Sequence, residues 1–335
     1  MARIGLRQLA QSLGVDVSTV SRALRDDERV KPETRARVRD EAQRLGYRPH
    51  AAARALRGGR TGRVAVLLSP PQQRFASPVF QELLATMARR LGDVSMSLTV
   101  FAAQDRAEEP GIVRSIVEDK LADGIVLGRT LQIDPRIDYL RARDFPFVTF
   151  GRTAYEDEHS WVEIDYKEAG MLAVQALAEY KPDKLTIVSA TRGQRFADNY
   201  VIGAREVADQ LSVKVAAEER VDMNEQGGEA LALKALQGIH RHAFCCIQDS
   251  VAFGFLRAAA QLKKRPGEDF SLFGGQNFPG AEHTAPPLST FSTRDNHVAQ
   301  LLTETIIERL NADGTPPRGH VIKPTPLLRQ SHILG

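Results

Sequence analysis

The chain has 335 residues, of which 42% are apolar and 26% are charged, and its net charge is +3. This length allows two or three domains with sizeable cores, and the composition is not that of a disordered chain. No apolar run approaches the roughly 20 residues that cross a bilayer. The N-terminal segment has no continuous apolar stretch of the kind found in secretion signals. We therefore expect a cytoplasmic protein with no membrane partner.

Charge is distributed unevenly along the chain. Residues 1–60 hold 14 of the 45 Lys and Arg residues but only 7 of the 42 Asp and Glu residues, which leaves 31 basic and 35 acidic side chains beyond them. A basic module joined to a mildly acidic body indicates either a head that binds a polyanion or a basic face that is only solvated. The charge alone does not choose between the two.

The first predicted elements are three short helices. A helical apolar stripe from Leu6 to Leu13 is followed by Gly14, a residue that helix ends favour. Asp16 stands where the N-cap of a second helix belongs, and Pro32 suits the first turn of a third. A helix, a tight turn and a helix form a helix-turn-helix. The alternative is a plain helical cap, since amphipathic helix pairs are common.

The second helix has an apolar side at Val17, Val20 and Leu24 and a polar side of hydroxyl and basic residues. In a helix-turn-helix this helix enters the major groove of DNA N-terminus first. The fork of Arg22 matches O6 and N7 of guanine, and Thr19 is suited to phosphate. The side chains expected to meet base edges are Val17, Ser18, Ser21 and Arg22.

The stretch GYRPHAAARALRGGR, residues 46–60, could form a short helix between Pro49 and Gly58. It has no large apolar face, and an isolated helix this short is marginal in water. The minor groove of DNA could order it, with Leu56 as an apolar wedge between base pairs. The alternative is a flexible basic linker.

Residues 3–60 together resemble the lactose-repressor (LacI/GalR) family of bacterial transcription regulators. The resemblance is carried by LRQLAQSLGVDVSTVSRAL and VKPETRARVRDEAQRLGYRPHAAARAL. It implies a helix-turn-helix head over residues 1–48, a hinge helix and linker over residues 49–60, and an effector-binding and dimerisation domain over residues 61–335. The implied DNA-binding residues are Val17, Ser18, Thr19, Ser21, Arg22, Lys31, Thr34, Tyr47, His50, Ala53 and Leu56.

In the body, short apolar runs such as RVAVLLS, GIVLG and AFCCIQD alternate with helical patterns. This alternation indicates βαβ units with buried parallel strands, and ligands of such sheets bind off the carboxyl ends of the strands. The resemblance continues through FPFVTFGRT, VEIDYKEAGMLAVQAL and CIQDSVAFGFLRAA. It implies a two-lobe α/β body like a periplasmic binding protein, with an N-lobe of residues 61–162 and 291–323 and a C-lobe of residues 163–290 and 324–335.

The resemblance also implies an effector site between the lobes, at positions that follow strand ends. Aromatic rings can stack on sugar faces, while Arg, Gln and Asp side chains fix hydroxyls. Any of these residues could instead be an ordinary surface residue, and Asp165 is expected to be a helix cap. The implied effector residues are Phe75, Ser77, Phe80, Arg129, Arg152, Tyr200, Gln248, Asp249 and Gln276.

The sequence departs from the family pattern at several positions. Gly5 and Lys31 replace hydroxyl residues that usually cap helices. Gln248 stands where an asparagine is usual, Gln276 where many members have an aspartate, and Tyr200 where the lactose repressor has a sugar-binding arginine. We expect a sugar or an oligosaccharide as the effector, of an identity that these departures leave open.

The only cysteines are neighbours, Cys245 and Cys246. Adjacent strand residues point to opposite faces, so no disulfide between them is expected, and no His or Cys at ligand spacing accompanies them. We expect both to pack in a strand of a reduced protein, and we predict no metal and no other cofactor.

Other functions fit the sequence less well. No G-x-S-x-G, H-E-x-x-H or G-x-x-x-x-G-K-[ST] motif occurs, so no enzyme is predicted. A sugar-transport protein would not need the basic head, and a nucleoid protein would not need the cleft. We expect an allosteric homodimer that represses carbohydrate-uptake or catabolism genes from a pseudo-palindromic operator in double-stranded DNA.

Overall fold

A computed structural model describes residues 5–24, 27–45, 60–68, 78–293, 295–311, 314 and 316–334. Its contacts divide the chain into two compact units, Met1–Gly62 and Arg63–Gly335. Among the described residues, no helix is long and apolar enough to cross a membrane.

The described part of the first unit contains three helices, as predicted. The first ends at Gly14, whose φ of 65° lies in the left-handed region that glycine adopts without steric cost. Pro32 stands in the first turn of the third helix. The helices pack around Leu9, Val20 and Val38, none of which is more than 1% exposed. The helices are α1 Leu6–Leu13, α2 Val17–Ala23 and α3 Pro32–Arg44.

The second unit alternates strands and helices, as the apolar runs predicted. Its elements in chain order are β1 Arg63–Leu68, α4 Pro78–Asp93, β2 Ser97–Ala102, α5 Glu109–Glu118, β3 Gly124–Gly128, α6 Pro135–Arg141, β4 Phe147–Phe150, β5 Ser160–Ile164, α7 Tyr166–Ala178, β6 Lys184–Ser189, α8 Arg195–Gln210, β7 Val215–Arg220, α9 Glu225–Ala235, β8 His242–Cys246, α10 Asp249–Gln261, β9 Phe270–Phe273, β10 Thr290–Ser292, α11 Asp295–Asn311, β11 Gly319–Ile322 and β12 Thr325–Leu327.

The described strands form two parallel sheets and one short ribbon. The first sheet has the order β11-β5-β4-β3-β1-β2, and the second has the order β7-β6-β8-β9. Neighbouring strands in both sheets are parallel, whereas β10 and β12 pair antiparallel. The predicted fold class, a helical head with a two-lobe parallel α/β body, is confirmed.

Each sheet is the centre of one lobe, and α11 returns the chain to the first lobe, where it packs on α4. In the described chain, the lobes are connected between β5 and α7, through β10, and between β11 and β12. Parallel strands place their carboxyl ends at one edge of a sheet. The loops after these strands therefore gather where the two lobes meet.

Helices α7 and α8 pack with their backbones in direct contact. A Cβ atom on Gly170 would lie 2.1 Å from the main-chain oxygen of Tyr200, and one on Gly203 would lie 1.9 Å from the main-chain oxygen of Lys167. Only glycine fits at these two points, so this pair of helices depends on both residues.

Cys245 and Cys246 lie in β8 and are fully buried. Burial raises the pKa of the Cys245 thiol to about 12, so this thiol stays protonated at neutral pH. The expected role in strand packing agrees with this position.

Candidate functional site

Helix α2 presents a buried side and an exposed side. Val20 and Ala23 are fully buried against the other helices. Val17, which was expected on the apolar side, is 37% exposed, because it begins the helix outside the contact with α1 and α3. The residues predicted to contact DNA from this helix are all exposed or half-buried: Val17, Ser18, Thr19, Ser21 and Arg22.

The start of α3 lies at the surface as well. Lys31 is the exposed N-cap residue and makes no side-chain cap bond, and Thr34 is half-buried in the first turn. Before it, Arg29 donates to both carboxylate oxygens of Asp27, at 2.9 and 2.7 Å, and holds the pKa of Asp27 well below its usual range. The predicted DNA contacts at Tyr47, His50, Ala53 and Leu56 lie outside the described residues.

The second unit contains a cavity of about 180 Å³ between the two lobes. Its walls are the segments after β3 and β4 and the end of β5 in the first lobe, and the segments after β6, β7, β8 and β9 in the second. The starts of α4, α7, α8 and α11 complete them. Phe75 and Ser77 lie outside the described residues. The predicted effector residues that line the cavity are Phe80, Arg129, Arg152, Gln248 and Gln276.

An ion pair forms part of the cavity wall. Arg152 Nε and Nη2 donate to the two carboxylate oxygens of Glu163, at 2.9 and 3.2 Å. The Glu163 carboxylate raises the pKa of Arg152. The guanidinium also lies over the ring of Trp161, 5.0 Å from its centroid. Glu163 was not predicted, although an acidic residue at a buried position of an apolar strand is a signal that a partner is present.

Aromatic side chains form the apolar part of the wall. Tyr166 and Phe196 lie with their ring centroids 5.1 Å apart. Gln276 Nε2 donates to the hydroxyl of Tyr166 at 2.6 Å. Gln276 was predicted as an effector residue and Tyr166 was not, and the two are hydrogen-bonded to each other in the cavity wall. The cavity-lining residues that the sequence reasoning missed include Phe150, Glu163, Tyr166, Gln194, Arg195 and Phe196.

Beneath the cavity, a buried ionic cluster supports the segment after β3. Arg136 is 5% exposed and is paired with Glu109 and, at 2.6 Å, with Asp134. Arg106 donates to the main-chain oxygen of Arg129, whose φ of 53° is left-handed. Burial and the nearby Arg106 guanidinium lower the pKa of Arg129. The cluster thus fixes an unusual backbone turn at the cavity floor.

The two lobes touch at the rim of the cavity. Arg195 Nη1 donates to the main-chain oxygen of Thr153 at 2.9 Å, and Nη2 lies 3.1 Å from a carboxylate oxygen of Glu156. The backbones of Leu131 and Gln194 also form an antiparallel bridge. The lobes are therefore closed together on this side.

Two residues expected in the effector site do not reach the cavity. Tyr200 lies in α8 and is fully buried, because its face of the helix packs on α7, and burial raises the pKa of its hydroxyl well above the usual range. Asp249 is also fully buried, and its carboxylate accepts hydrogen bonds from the protein itself. Asp165 caps α7 as expected, accepting from the main-chain nitrogen of Glu168 at 3.0 Å.

Comparisons with known proteins agree with this architecture. Residues 6–50 match the family of bacterial regulatory proteins called lacI, and residues 174–332 match a periplasmic binding protein-like domain. The HTH-type transcriptional regulator RafR of Escherichia coli is 30% identical over 203 residues, which are 61% of this chain and 59% of RafR. Catabolite control protein A of Staphylococcus epidermidis is 28% identical over 86% of each chain.

Solved structures with the same fold include the Lac repressor dimer bound to operator and the anti-inducer ONPF. It is 18% identical, with a TM-score of 0.83, over 99% of this chain and 100% of that one. The complex of the regulator CelR with cellobiose is 22% identical, with a TM-score of 0.74, over 98% and 100%.

A helix-turn-helix unit joined to a two-lobed α/β unit with a central cavity defines a class of ligand-controlled transcription regulators. This chain belongs to the LacI family of bacterial regulatory proteins. The predicted resemblance is thereby confirmed, and so is the expectation of a regulator and not an enzyme.

Proposed function

We propose that this protein is a homodimeric repressor of carbohydrate-uptake or catabolism genes. It binds a pseudo-palindromic operator in double-stranded DNA and is controlled by a small sugar-type effector between the lobes. One observation carries the proposal: the chain joins a unit that exposes hydroxyl and guanidinium side chains on its second helix to a unit with a polar and aromatic cavity. DNA as the partner places the protein in the cytoplasm.

On DNA, α2 enters the major groove with its N-terminus first. Arg22 donates to O6 and N7 of a guanine, and Val17 contacts a thymine methyl group. Lys31 and Thr34, at the start of α3, contact phosphate and set the register of the head on the duplex. The exposure of Val17, Arg22 and Lys31 and the partial exposure of Thr34 support this arrangement.

The head ends at residue 48, and residues 49–60 form the hinge. The Leu56 side chains of the two subunits wedge together into the minor groove and kink a flexible pyrimidine–purine step. The two half-sites then lie about one helical turn, ~10 bp, apart. Tyr47, at the end of the head, and His50 and Ala53, in the hinge, contact DNA as well.

In the cavity, aromatic rings pack on the apolar faces of a sugar ring while paired polar groups bind its hydroxyls. The Arg152–Glu163 pair is neutral as a whole and presents both donors and acceptors, which suits the hydroxyls of a sugar. Gln248 and Gln276 supply amide donors and acceptors from the second lobe. The presence of cellobiose in the solved complex of CelR supports a sugar as the ligand here.

The effector changes the geometry between the two lobes of each subunit. This change alters the spacing of the two hinge segments in the dimer. The lobes in question are residues 61–162 with 291–323 and residues 163–290 with 324–335. Because both hinge segments contact the same operator, a small change in their spacing is enough to weaken DNA binding.

The test is fluorescence-anisotropy binding to duplexes from around the protein's own gene, at one fixed salt concentration. Specific binding of one fragment, far tighter than that of shuffled duplexes of equal length and base composition, is the expected result. Weak binding of every fragment, with the same steep salt dependence, would leave only a basic head and would contradict the proposal.

A further inference from the structure

Asp249 is fully buried although its neighbour Gln248 lines the cavity. Its Oδ1 accepts from the main-chain nitrogen of Gly275 at 2.6 Å and from the Thr290 hydroxyl at 2.8 Å. Its Oδ2 accepts from the main-chain nitrogen of Phe278 at 2.7 Å. All three donors belong to other segments, so the carboxylate joins α10 to two further parts of the chain.

The first of these parts is the segment after β9, residues 274–278, which carries Gln276. Gln276 and Asn277 have φ angles of 80° and 49°, so two successive non-glycine residues are left-handed. Such a backbone persists only where its surroundings hold it. The carboxylate of Asp249 accepts hydrogen bonds from the main-chain amides of Gly275 and Phe278, which flank these two residues. A Cβ on Gly274 would lie 2.1 Å from Asp249 Oδ1, so glycine is required for this approach.

The second part is β10, one of the connections between the lobes. Thr290, which donates to Asp249, also accepts from the main-chain nitrogen of Asn277 at 3.2 Å. Arg329, just beyond β12, donates to the side-chain oxygen of Asn277 at 2.8 Å and to the main-chain oxygen of Leu288. The segment that carries Gln276 is therefore hydrogen-bonded both to β10 and to the residue just beyond its partner strand β12.

Gln276 is also tied to the connection through Tyr166. Its amide donates to the Tyr166 hydroxyl at 2.6 Å, and the Tyr166 ring meets the ring of Phe291 in β10 edge-on, with centroids 6.4 Å apart. The segment of Gln276 is thus connected to β10 twice, through Asn277 to Thr290 and through Tyr166 to Phe291. A ligand that displaces the Gln276 side-chain amide therefore acts on a segment that is attached to β10.

We propose that Asp249 is a positioning residue: it holds Gln276 in the cavity and couples that segment to the lobe connection at β10. It does this through its bonds to Gly275, Phe278 and Thr290, without touching the effector. This role rests on the proposed function, since it takes Gln276 to be an effector contact.

The first arm of the test needs no ligand. Hydrogen exchange of the full chain is compared for the wild type, Asp249→Asn, and the pair Thr290→Val and Thr290→Ser. Asp249→Asn keeps one oxygen acceptor and replaces the other with an NH2 group, so the amide of Gly275 or Phe278 that faces this group should exchange about tenfold faster. The Asn277 amide should exchange faster in Thr290→Val, which lacks the hydroxyl that it donates to, and at the wild-type rate in Thr290→Ser. The amides of β6 should keep their protection in all variants. Unchanged exchange at residues 275–278 would overturn the proposal, and the Thr290 pair decides it if Asp249→Asn does not fold.

The second arm is calorimetric titration of the same proteins with cellobiose and with ribose. For a sugar that binds the wild type, the Kd should rise about tenfold in Asp249→Asn and in Thr290→Val and return in Thr290→Ser. Operator affinity without sugar should stay within about twofold of the wild type. Faster exchange with an unchanged sugar Kd would mean that Asp249 is only structural and would overturn the proposal. If neither sugar binds the wild type, cellobiose and ribose are excluded as the effector, and the exchange arm alone decides whether Asp249 holds the segment.

Discussion

Arg195 donates a hydrogen bond from Nη1 to the main-chain oxygen of Thr153, 2.9 Å away. The first residue of α8, in the second lobe, is thus bound to the segment after β4, in the first. Nη2 of the same side chain is paired with Glu156, and Trp161 Nε1 donates to the main-chain oxygen of Glu156 at 3.0 Å. Trp161 is the only tryptophan of the chain. Its fluorescence therefore reports on the place where the lobes are joined.

The first prediction concerns this contact. Glu156→Gln keeps the shape of the side chain and removes its charge; Glu156 does not itself line the cavity, and its other ionic contact, with Arg152 of the cavity wall, is a longer one of 3.6 Å. The lobes should separate more readily, and a bound sugar should dissociate about tenfold faster, because a charge-assisted contact is lost. Stopped-flow fluorescence of Trp161 measures this rate. Asp157→Asn, the loss of an exposed neighbouring charge, is the control, and equal rates in the two variants would refute the role of Glu156.

The second prediction concerns base recognition by α2. Arg22→Ala should weaken operator binding by about 1–3 kcal/mol and relax the preference at one base pair. Anisotropy titrations with operators substituted at each position measure both effects. Arg44→Ala serves as the matched control, since Arg44 is exposed at the end of α3 and is paired with Glu41 at 2.6 Å. If Arg22→Ala weakens every operator equally, Arg22 contacts phosphate and not a base.

The third prediction concerns the hinge and comes from the sequence. Leu56→Ala should reduce the bend of the operator and weaken specific binding, while non-specific binding stays the same, because the smaller side chain cannot unstack a base step. Gel mobility of circularly permuted fragments measures the bend. An unchanged bend would show that Leu56 is not the wedge.

The fourth prediction concerns the backbone contact between α7 and α8. Gly203→Ala places a Cβ 1.9 Å from the main-chain oxygen of Lys167, so the helices must move apart. We expect the free energy of unfolding to fall by about 1–3 kcal/mol or more, measured by urea denaturation followed at Trp161. Gly111→Ala in α5 is the control, because nothing lies within 4 Å of its Cβ position. Equal stability of the two variants would contradict the close packing.

The fifth prediction concerns pH. Burial raises the pKa of Asp249 from 3.8 to about 7, although its three hydrogen bonds and the charge of Arg329 act in the opposite direction. The folded chain then holds this proton more tightly than the unfolded chain does. The contribution to stability is full below the unfolded pKa and is lost as the pH rises towards 7. From about pH 5 to about pH 7 the free energy of unfolding should fall by about 1.4 kcal/mol per pH unit from this group.

Urea denaturation of the wild type and of Asp249→Asn across this range checks the sign. In Asp249→Asn the free energy of unfolding should fall less steeply with pH, because the asparagine amide does not titrate. Parallel pH dependences would mean that Asp249 is already ionised in the folded protein.

Most of the fold was predictable because it follows from local patterns. Buried parallel strands are continuous apolar runs, and a glycine at φ 65° marks the end of α1. The short strands β10 and β12 were not predicted, because strands of three residues leave no periodic pattern in the sequence.

The candidate site was predicted only in part. Positions directly after strand ends, such as Arg152 and Gln248, line the cavity. Tyr200 and Asp249 were placed there by resemblance, but their side chains face the core. Glu163 and Arg195 were missed because β5 and the start of α8 line the cavity only once the two lobes are packed together, and the local sequence does not show that packing.

A sugar in the cavity should control the binding of DNA by the head, and thermodynamic linkage between the two sites tests this directly. The operator Kd is measured with and without a saturating sugar, and the sugar Kd with and without operator. Two linked sites must change each other's affinity by the same factor, and we expect that factor to lie between about 5 and 150. If a sugar binds tightly but neither the operator Kd nor the sugar Kd changes when the other ligand is present, the sugar does not control DNA binding.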